Sequence, residues 1–259
     1  MSTARFYRFH HNGAARYAVE RDGVCHLVEG DIFGDWREVA PIAKPERLLA
    51  PVVPSKIVAI GLNYKDHAAE QGKTVPAEPI VFLKPSTAVV GPGERVVIPT
   101  GVGRVDHEAE LGVVVGRRAT RVAEREALEY VLGAVCVNDV TARDIQRTDR
   151  RYTRAKGFDT FAPVGPCLAT GLHLDALEVE GWVNGERRQA SSTRQLIFPI
   201  AQLVAYVSAI MTLLPGDIIS TGTPSGIGPL QAGDRVTIKV EGVGELTNPV
   251  VAGQRFGLA

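Results

Sequence analysis

The stretch Glu108-Ala109-Glu110-Leu111-Gly112-Val113-Val114-Val115-Gly116 sets two carboxylates, two residues apart, directly before a short apolar run closed by glycine. Leu111–Gly116 is β-branched and bounded by glycine, which predicts a strand. In an extended strand Glu108 and Glu110 point to one face, and His107 falls on the opposite one and is not counted as a ligand. If the shared face is buried, repulsion and desolvation must be relieved by protonation or by a cation. Oxygen-only donors select a hard ion such as Mg²⁺ or Mn²⁺. Taken alone, the pair reads more readily as a solvated strand edge.

Outward from this stretch the chain continues in short strand-like runs at 56–61, 80–83, 95–98, 134–138 and 177–183. Asn184-Gly185 predicts a two-residue hairpin, and Pro215-Gly216-Asp217 and Ala232-Gly233-Asp234 mark further reversals. The 27 glycines and 16 prolines exceed the usual combined ~12% and agree with many turns. Helical pattern is confined to 64–71, to 123–132 ending at Gly133, and to 199–214. The last places Leu203, Val207, Ile210, Met211 and Leu214 on one face. The fold class expected is mainly β with few helices (α+β). Residues 1–50 alternate short apolar and polar pieces around a turn at Arg21-Asp22-Gly23, and Pro51 and Pro54 favour an extended linker. A small β-rich unit over residues 1–54 and a larger domain over 55–259 are therefore expected.

The 259 residues carry 29 basic and 29 acidic side chains, 45% apolar residues and no apolar run of membrane-spanning length. Balanced charge removes the broad attraction that nucleic acid or an anionic membrane needs, which leaves a small ligand as the expected partner. Cys25, Cys136 and Cys167 are odd in number and widely spaced, so they read as buried thiols in a reducing compartment. Arg5, Arg8, His10 and His11 break up the N-terminus, which does not read as a signal peptide. A cytoplasmic location is expected.

Several side chains are candidates for chemistry. Asp139 ends the apolar run Gly133–Val137 and either projects toward the pair of glutamates or, with Thr141, caps a helix through Arg143 and Gln146. His67 and Glu70 face one another in one helical turn, as a surface pair or as a carboxylate-oriented general base. Lys156 sits between Ala155 and Gly157, and a solvated lysine is the default. Thr221–Gly228 is a Gly-rich loop whose amides and hydroxyls suit a carboxylate. It lacks the Gly-Lys-Ser/Thr ending of a nucleotide-binding loop.

Together, IGLNYKDHAAE (60–70), PIVFLKP (79–85), DHEAELGVVVG (106–116), GAVCVNDVTARDIQ (133–146), KGFDTFAPVGP (156–166) and GDIISTGTPSGIG (216–228) resemble, in order, the fumarylacetoacetate hydrolase family. The family includes 2-hydroxyhepta-2,4-diene-1,7-dioate isomerases and acylpyruvate hydrolases. The resemblance covers roughly residues 55 to 250. It implies a mixed β-sandwich roll, usually dimeric. It implies Glu108, Glu110 and Asp139 as ligands of Mg²⁺ or Mn²⁺, with Ca²⁺ as a crystallisation substitute. Lys156 would stabilise an enolate, and Thr223 would hold the substrate carboxylate beside Gly222, Arg143 and Gln146. His67, oriented by Glu70 on a lid helix, would activate water. The implied activity is on a pyruvate-like 2-oxo dicarboxylic acid through a metal-bound enolate, first C–C bond hydrolysis of an acylpyruvate. Enol-keto isomerisation, decarboxylation as of oxaloacetate, and non-catalytic keto-acid binding are the alternatives.

Overall fold

The run after Glu110 forms the strand Ala109–Val115, buried along its whole length. Val113 and Val115 enter one core cluster and Val114 the other. A strand covered on both faces needs an unbroken apolar run, which is why this one does not alternate. Gly112 is required within it, because a Cβ there would lie 2.5 Å from Val137 Cγ2 and 2.8 Å from Val135 Cγ2. The computed structural model describes residues 3–256.

The architecture is mainly β, in the sandwich-like form that the resemblance implies. Ala109–Val115 lies in a large twelve-stranded sheet, antiparallel to Val131–Asn138 and to Ile218–Ser220. Ile218–Ser220 continues in parallel to Lys56–Gly61, which pairs with Ile80–Pro85 at the edge. On the other side Ala162–Thr170 pairs with Val131–Asn138 and with Ala4–His11, so the N-terminal hairpins extend the same sheet. A separate five-stranded sheet, Glu186–Ser192, Glu178–Val183, Arg235–Val240, Gly244–Arg255 and Val96–Thr100, supplies Val179, Ile238 and Leu246 to the core shared with Leu111 and Val113.

The expected hairpins form. Asn184 and Gly185 have φ of 52° and 81°, and Asp22 and Gly23 have 51° and 79°, the left-handed pair that a two-residue turn requires. Two helical expectations are corrected. Residues 124–130 form only a 3-10 segment, and Val131 already begins a strand. Pairing with Ala109–Val115 outweighs the helical periodicity there, and Gly133 is no helix stop but a close approach. Its Cβ would lie 2.2 Å from the Ala169 carbonyl. The long helix runs Ile200–Ile210, so Met211 and Leu214 lie beyond it and Ile210 is exposed. It ends early because residue 213 bridges to Ala119, with both backbone bonds made at 2.9 and 3.0 Å. Cys25, Cys136 and Cys167 are free and buried. Among the described residues no helix is long and apolar enough to cross a membrane.

Asp217, expected only as a turn residue, fixes the parallel pairing. Fully buried, it accepts from Ser55 N at 3.0 Å, Ser55 Oγ at 2.6 Å and Leu214 N at 2.8 Å, and it pairs with Lys56 Nζ. Asp217→Ala leaves those donors unmatched and is expected to destabilise the fold by about 3 kcal/mol. Chemical denaturation measures this, and an unchanged midpoint would refute the anchoring role.

Candidate active site

Glu108 sits in the break between the strands Val105–His107 and Ala109–Val115, Glu110 one pleat later, and Asp139 just past Val131–Asn138. Antiparallel pairing places Glu110 opposite Val137 and Ala109 opposite Asn138, which brings the three carboxylates to one end of the sheet. All three are buried, with one oxygen of each within 4.8 Å of the others. The solvated-edge reading of Glu108 and Glu110 is thereby excluded. The capping reading of Asp139 and Thr141 also fails. The helix Arg143–Asp149 has Ala142 at its cap position with no side-chain cap bond, and Thr141 Oγ1 donates to the Asp139 carbonyl instead.

Each carboxylate is held from behind by one oxygen. Glu108 Oε1 accepts from Arg143 Nη2, Asp139 Oδ1 from Lys84 Nζ at 2.6 Å, and Glu110 Oε2 from Ser220 Oγ and from Gly222 N at 3.1 Å. Of the other oxygens, Glu108 Oε2 and Asp139 Oδ2 accept from Lys156 Nζ at 2.8 and 2.5 Å, and Glu110 Oε1 has no donor among the described residues. Lys156 is buried, not solvated, and its third proton goes to Thr141 Oγ1 at 2.8 Å.

The cations are unevenly shared. Asp106 pairs with Arg143 and with the exposed Arg104, whose Nε lies 2.7 Å away, and Glu108 and Asp139 share Arg143, Lys84 and Lys156. Glu110 makes no ion pair among the described residues and is held only by Ser220 and Gly222. Burial, then the charges of Asp139 and Glu108, push its carboxyl up to about 8. Burial also opposes ionisation of Glu108, but Lys156 and Arg143 outweigh it and hold that group well below the usual range. Lys156 is shifted upward, since Asp139 and Glu108 overcome its desolvation. Lys84 is shifted downward because its burial is complete. Three carboxylate oxygens within 4.8 Å of one another, one of them on a glutamate with no ion pair among the described residues, suit a hard divalent cation, and the anchored outer oxygens keep the donors in place.

Asp106, Glu108, Glu110, Asp139, Arg143 and Lys156, but not Lys84, line a cleft of about 530 Å³ that also includes His67, Gln146 and Thr223. His67 and Glu70 lie on the helix Lys65–Glu70 and are paired, Nδ1 to Oε2, at 3.0 Å. The carboxylate takes the Nδ1 proton, so Nε2 carries the lone pair, which accepts from Gln71 Nε2 at 2.8 Å. Glu70 Oε1 accepts from Gly226 N at 2.9 Å and ties this helix to the Thr221–Gly228 loop. Gln146 accepts from Arg143 Nη1 at 2.8 Å. Gly222 serves Glu110, as above. Thr223 is buried, and its hydroxyl donates to the Ala109 carbonyl at 2.9 Å.

Sequence reasoning missed Lys84. Its Nζ bonds Asp139 and also the Lys156 carbonyl at 2.6 Å, so one ammonium holds both a carboxylate of the cluster and the segment carrying Lys156. The available signal was a lysine directly after the apolar run Ile80–Leu83. His107 was set aside as facing away. It is buried on that other side and bonds Gln189 Oε1 at 3.0 Å.

Known proteins share this arrangement of chain. The family model described as fumarylacetoacetate (FAA) hydrolase C-terminal matches residues 56–251. An uncharacterized protein of Archaeoglobus fulgidus is 51% identical over 205 residues, 79% of this chain and 82% of that one. The crystal structure of 5-carboxymethyl-2-hydroxymuconate delta-isomerase from Mycobacterium smegmatis is 43% identical with a TM-score of 0.89, covering 96% of this chain and 100% of its own. The 2-hydroxyhepta-2,4-diene-1,7-dioate isomerase from Mycobacterium marinum is 38% identical with a TM-score of 0.87, covering 96% and 98%.

Lys84→Met leaves Asp139 Oδ1 and the Lys156 carbonyl without a donor in a dry interior. A loss of about 3 kcal/mol is expected, read by thermal or denaturant unfolding. Wild-type stability in this variant would mean that Asp139 does not depend on Lys84.

Proposed function

The chain belongs to the fumarylacetoacetate hydrolase family, and from that premise we propose that it is a divalent-metal-dependent enzyme acting on a pyruvate-like 2-oxo dicarboxylic acid, with C–C bond hydrolysis of an acylpyruvate as its reaction. The observation that carries this reading is the pairing, in one cleft, of a buried three-carboxylate cluster with a carboxylate-oriented imidazole. Glu108, Glu110 and Asp139 would hold Mg²⁺ or Mn²⁺, which supplies Lewis-acid polarisation of the 2-oxo group and charge for the substrate carboxylate.

The protein groups supply the rest. His67 Nε2, which now accepts from Gln71 Nε2, must exchange that donor for water; it then takes a proton from the water as the water oxygen bonds to the acyl carbonyl carbon, and Glu70 stabilises the imidazolium that results. The bond between the acyl carbon and the methylene carbon then breaks, and its electron pair passes into the enolate of pyruvate. The proton held on His67 Nε2 passes to that methylene carbon, which restores the neutral imidazole and completes the products, pyruvate and a carboxylic acid that ionises in water. Lys156 donates to the enolate oxygen. In the present arrangement its three protons are committed to Glu108, Asp139 and Thr141, and the two on the carboxylates would become available once Glu108 and Asp139 served as metal ligands. Thr223 and Arg143 hold the substrate carboxylate, with Gln146 beside Arg143. The exposed Lys73 and Arg150 line the same cleft and give a second carboxylate cationic partners, with Arg104 and Arg147 beside them in ion pairs with Asp106 and Asp144, which supports a dicarboxylic substrate. The helix with His67 closes over the substrate as a lid. A homodimer in the cytoplasm completes the proposal, and sedimentation at micromolar concentration tests its oligomeric part.

Isomerisation is the second reading, favoured by the names of the two mycobacterial structures. Product analysis on acylpyruvates with Mg²⁺ or Mn²⁺ separates the two, because hydrolysis releases pyruvate and isomerisation releases none. His67→Ala is expected to lower hydrolysis by ~10²–10⁴-fold with Mn²⁺ affinity nearly unchanged. Glu110→Ala is expected to remove Mn²⁺ binding and all turnover with it. Intact hydrolysis in His67→Ala would rule out the base, and unaltered Mn²⁺ titration in Glu110→Ala would rule out the site.

A further inference from the structure

Gln189 is buried on the strand Glu186–Ser192 of the five-stranded sheet, yet its amide reaches the carboxylate-bearing strand and the Gly-rich loop together. Oε1 accepts from Ala109 N at 2.9 Å and lies 3.0 Å from His107 Nδ1. Nε2 donates to Thr223 Oγ1 and to the Pro224 carbonyl, both at 2.8 Å. Two of these partners have fixed polarity. A backbone N–H only donates and a carbonyl only accepts, so the orientation of the amide is determined. Gln189 must then donate to Thr223 Oγ1, and the single proton of that hydroxyl points elsewhere, at present to the Ala109 carbonyl. The same backbone fit holds two residues along the loop. Gly226, at φ of 91°, lies so close to the Arg188 carbonyl that a Cβ would be 2.0 Å from it.

We infer that Gln189 is a positioning residue that acts through Thr223, holding the acceptor side of its hydroxyl so that Thr223 can meet a substrate carboxylate only as a donor. The inference rests on the 2-oxo acid reading of the cleft. Thr223 lines that cleft and Gln189 does not touch it, so any effect of Gln189 on substrate passes through the loop. The amide also joins two sheets that share no strand. The five-stranded sheet thus contributes to substrate recognition without placing a Gln189 atom in the cleft.

Gln189→Glu separates the two ends of the side chain. It keeps an acceptor for Ala109 N and His107, and it removes the donors to Thr223 and Pro224. Pyruvate, titrated calorimetrically into protein saturated with Mg²⁺, is expected to bind roughly 10–100-fold more weakly, the loss of one hydrogen bond to a charged group. Mn²⁺ affinity should not fall, because no carboxylate of the cluster bonds Gln189 and any charge the new carboxyl carries is negative, and KM for an acylpyruvate should rise more than kcat falls. In a Thr223→Val background the same change should add less than about threefold, as expected of residues acting as one unit. Full additivity, or wild-type pyruvate affinity in Gln189→Glu, overturns the inference alone. Failure of the wild-type protein to bind pyruvate overturns the 2-oxo acid reading as well. Nitrogen-15 spectra of the wild-type histidines need no variant. His107 must carry its proton on Nδ1, and a proton on Nε2 instead would mean that the amide is turned round and would overturn the inference.

Discussion

The structure is organised around three buried carboxylates brought together at one end of the large sheet. Glu108 and Asp139 are ion-paired, whereas Glu110 is held only by a hydroxyl and an amide, and burial with the charges of Asp139 and Glu108 raises its carboxyl to about 8. Bringing like charges together costs folding energy, and natural sequences keep such clusters where a ligand relieves them. The compensation is graded. Lys84, Arg143 and the Ser220 hydroxyl anchor the outer oxygens, and Lys156 bridges two of the inner ones. Any further cation therefore meets donors already fixed in direction.

That arrangement requires several distant segments to converge. The strand Ala109–Val115 is central because both its neighbours carry site groups, Val131–Asn138 leading to Asp139 and Ile218–Ser220 leading to the loop with Gly222 and Thr223. Asp217 secures the second neighbour to Lys56–Gly61, and Asn63 continues the connection by bonding the Thr221 carbonyl at 2.8 Å and Phe198 N at 2.9 Å. The helix with His67 starts two residues later. Its position over the cleft follows from this backbone anchoring and from the contact of Glu70 with Gly226. The two ends of the chemistry, imidazole and carboxylates, are thus coupled through the same loop.

The sequence by itself determined the strands, the hairpins and most of the site. The runs after Glu110 and before Asp139 are unmistakably β because both faces are buried and the residues are small or β-branched, and Asn184-Gly185 carries its turn in its own backbone preference. Glu108 and Glu110 are local in sequence, and so are His67 and Glu70, which is why spacing alone placed each pair on one face. Tertiary structure decided everything that depends on a partner from elsewhere. It turned residues 124–130 from helix to 3-10 segment and carried the strand expected at 134–138 back to Val131, because a neighbouring strand offered better hydrogen bonds. It showed whether the glutamates face water or one another, whether Asp139 caps a helix or joins the cluster, and that Lys156 is buried. It alone revealed Lys84 and Gln189, whose partners lie 55 and 80 residues away in the chain. Spacing is a property of the chain, whereas burial and the neutralisation of charge belong to the assembled fold, where segments distant in sequence exclude water from one another.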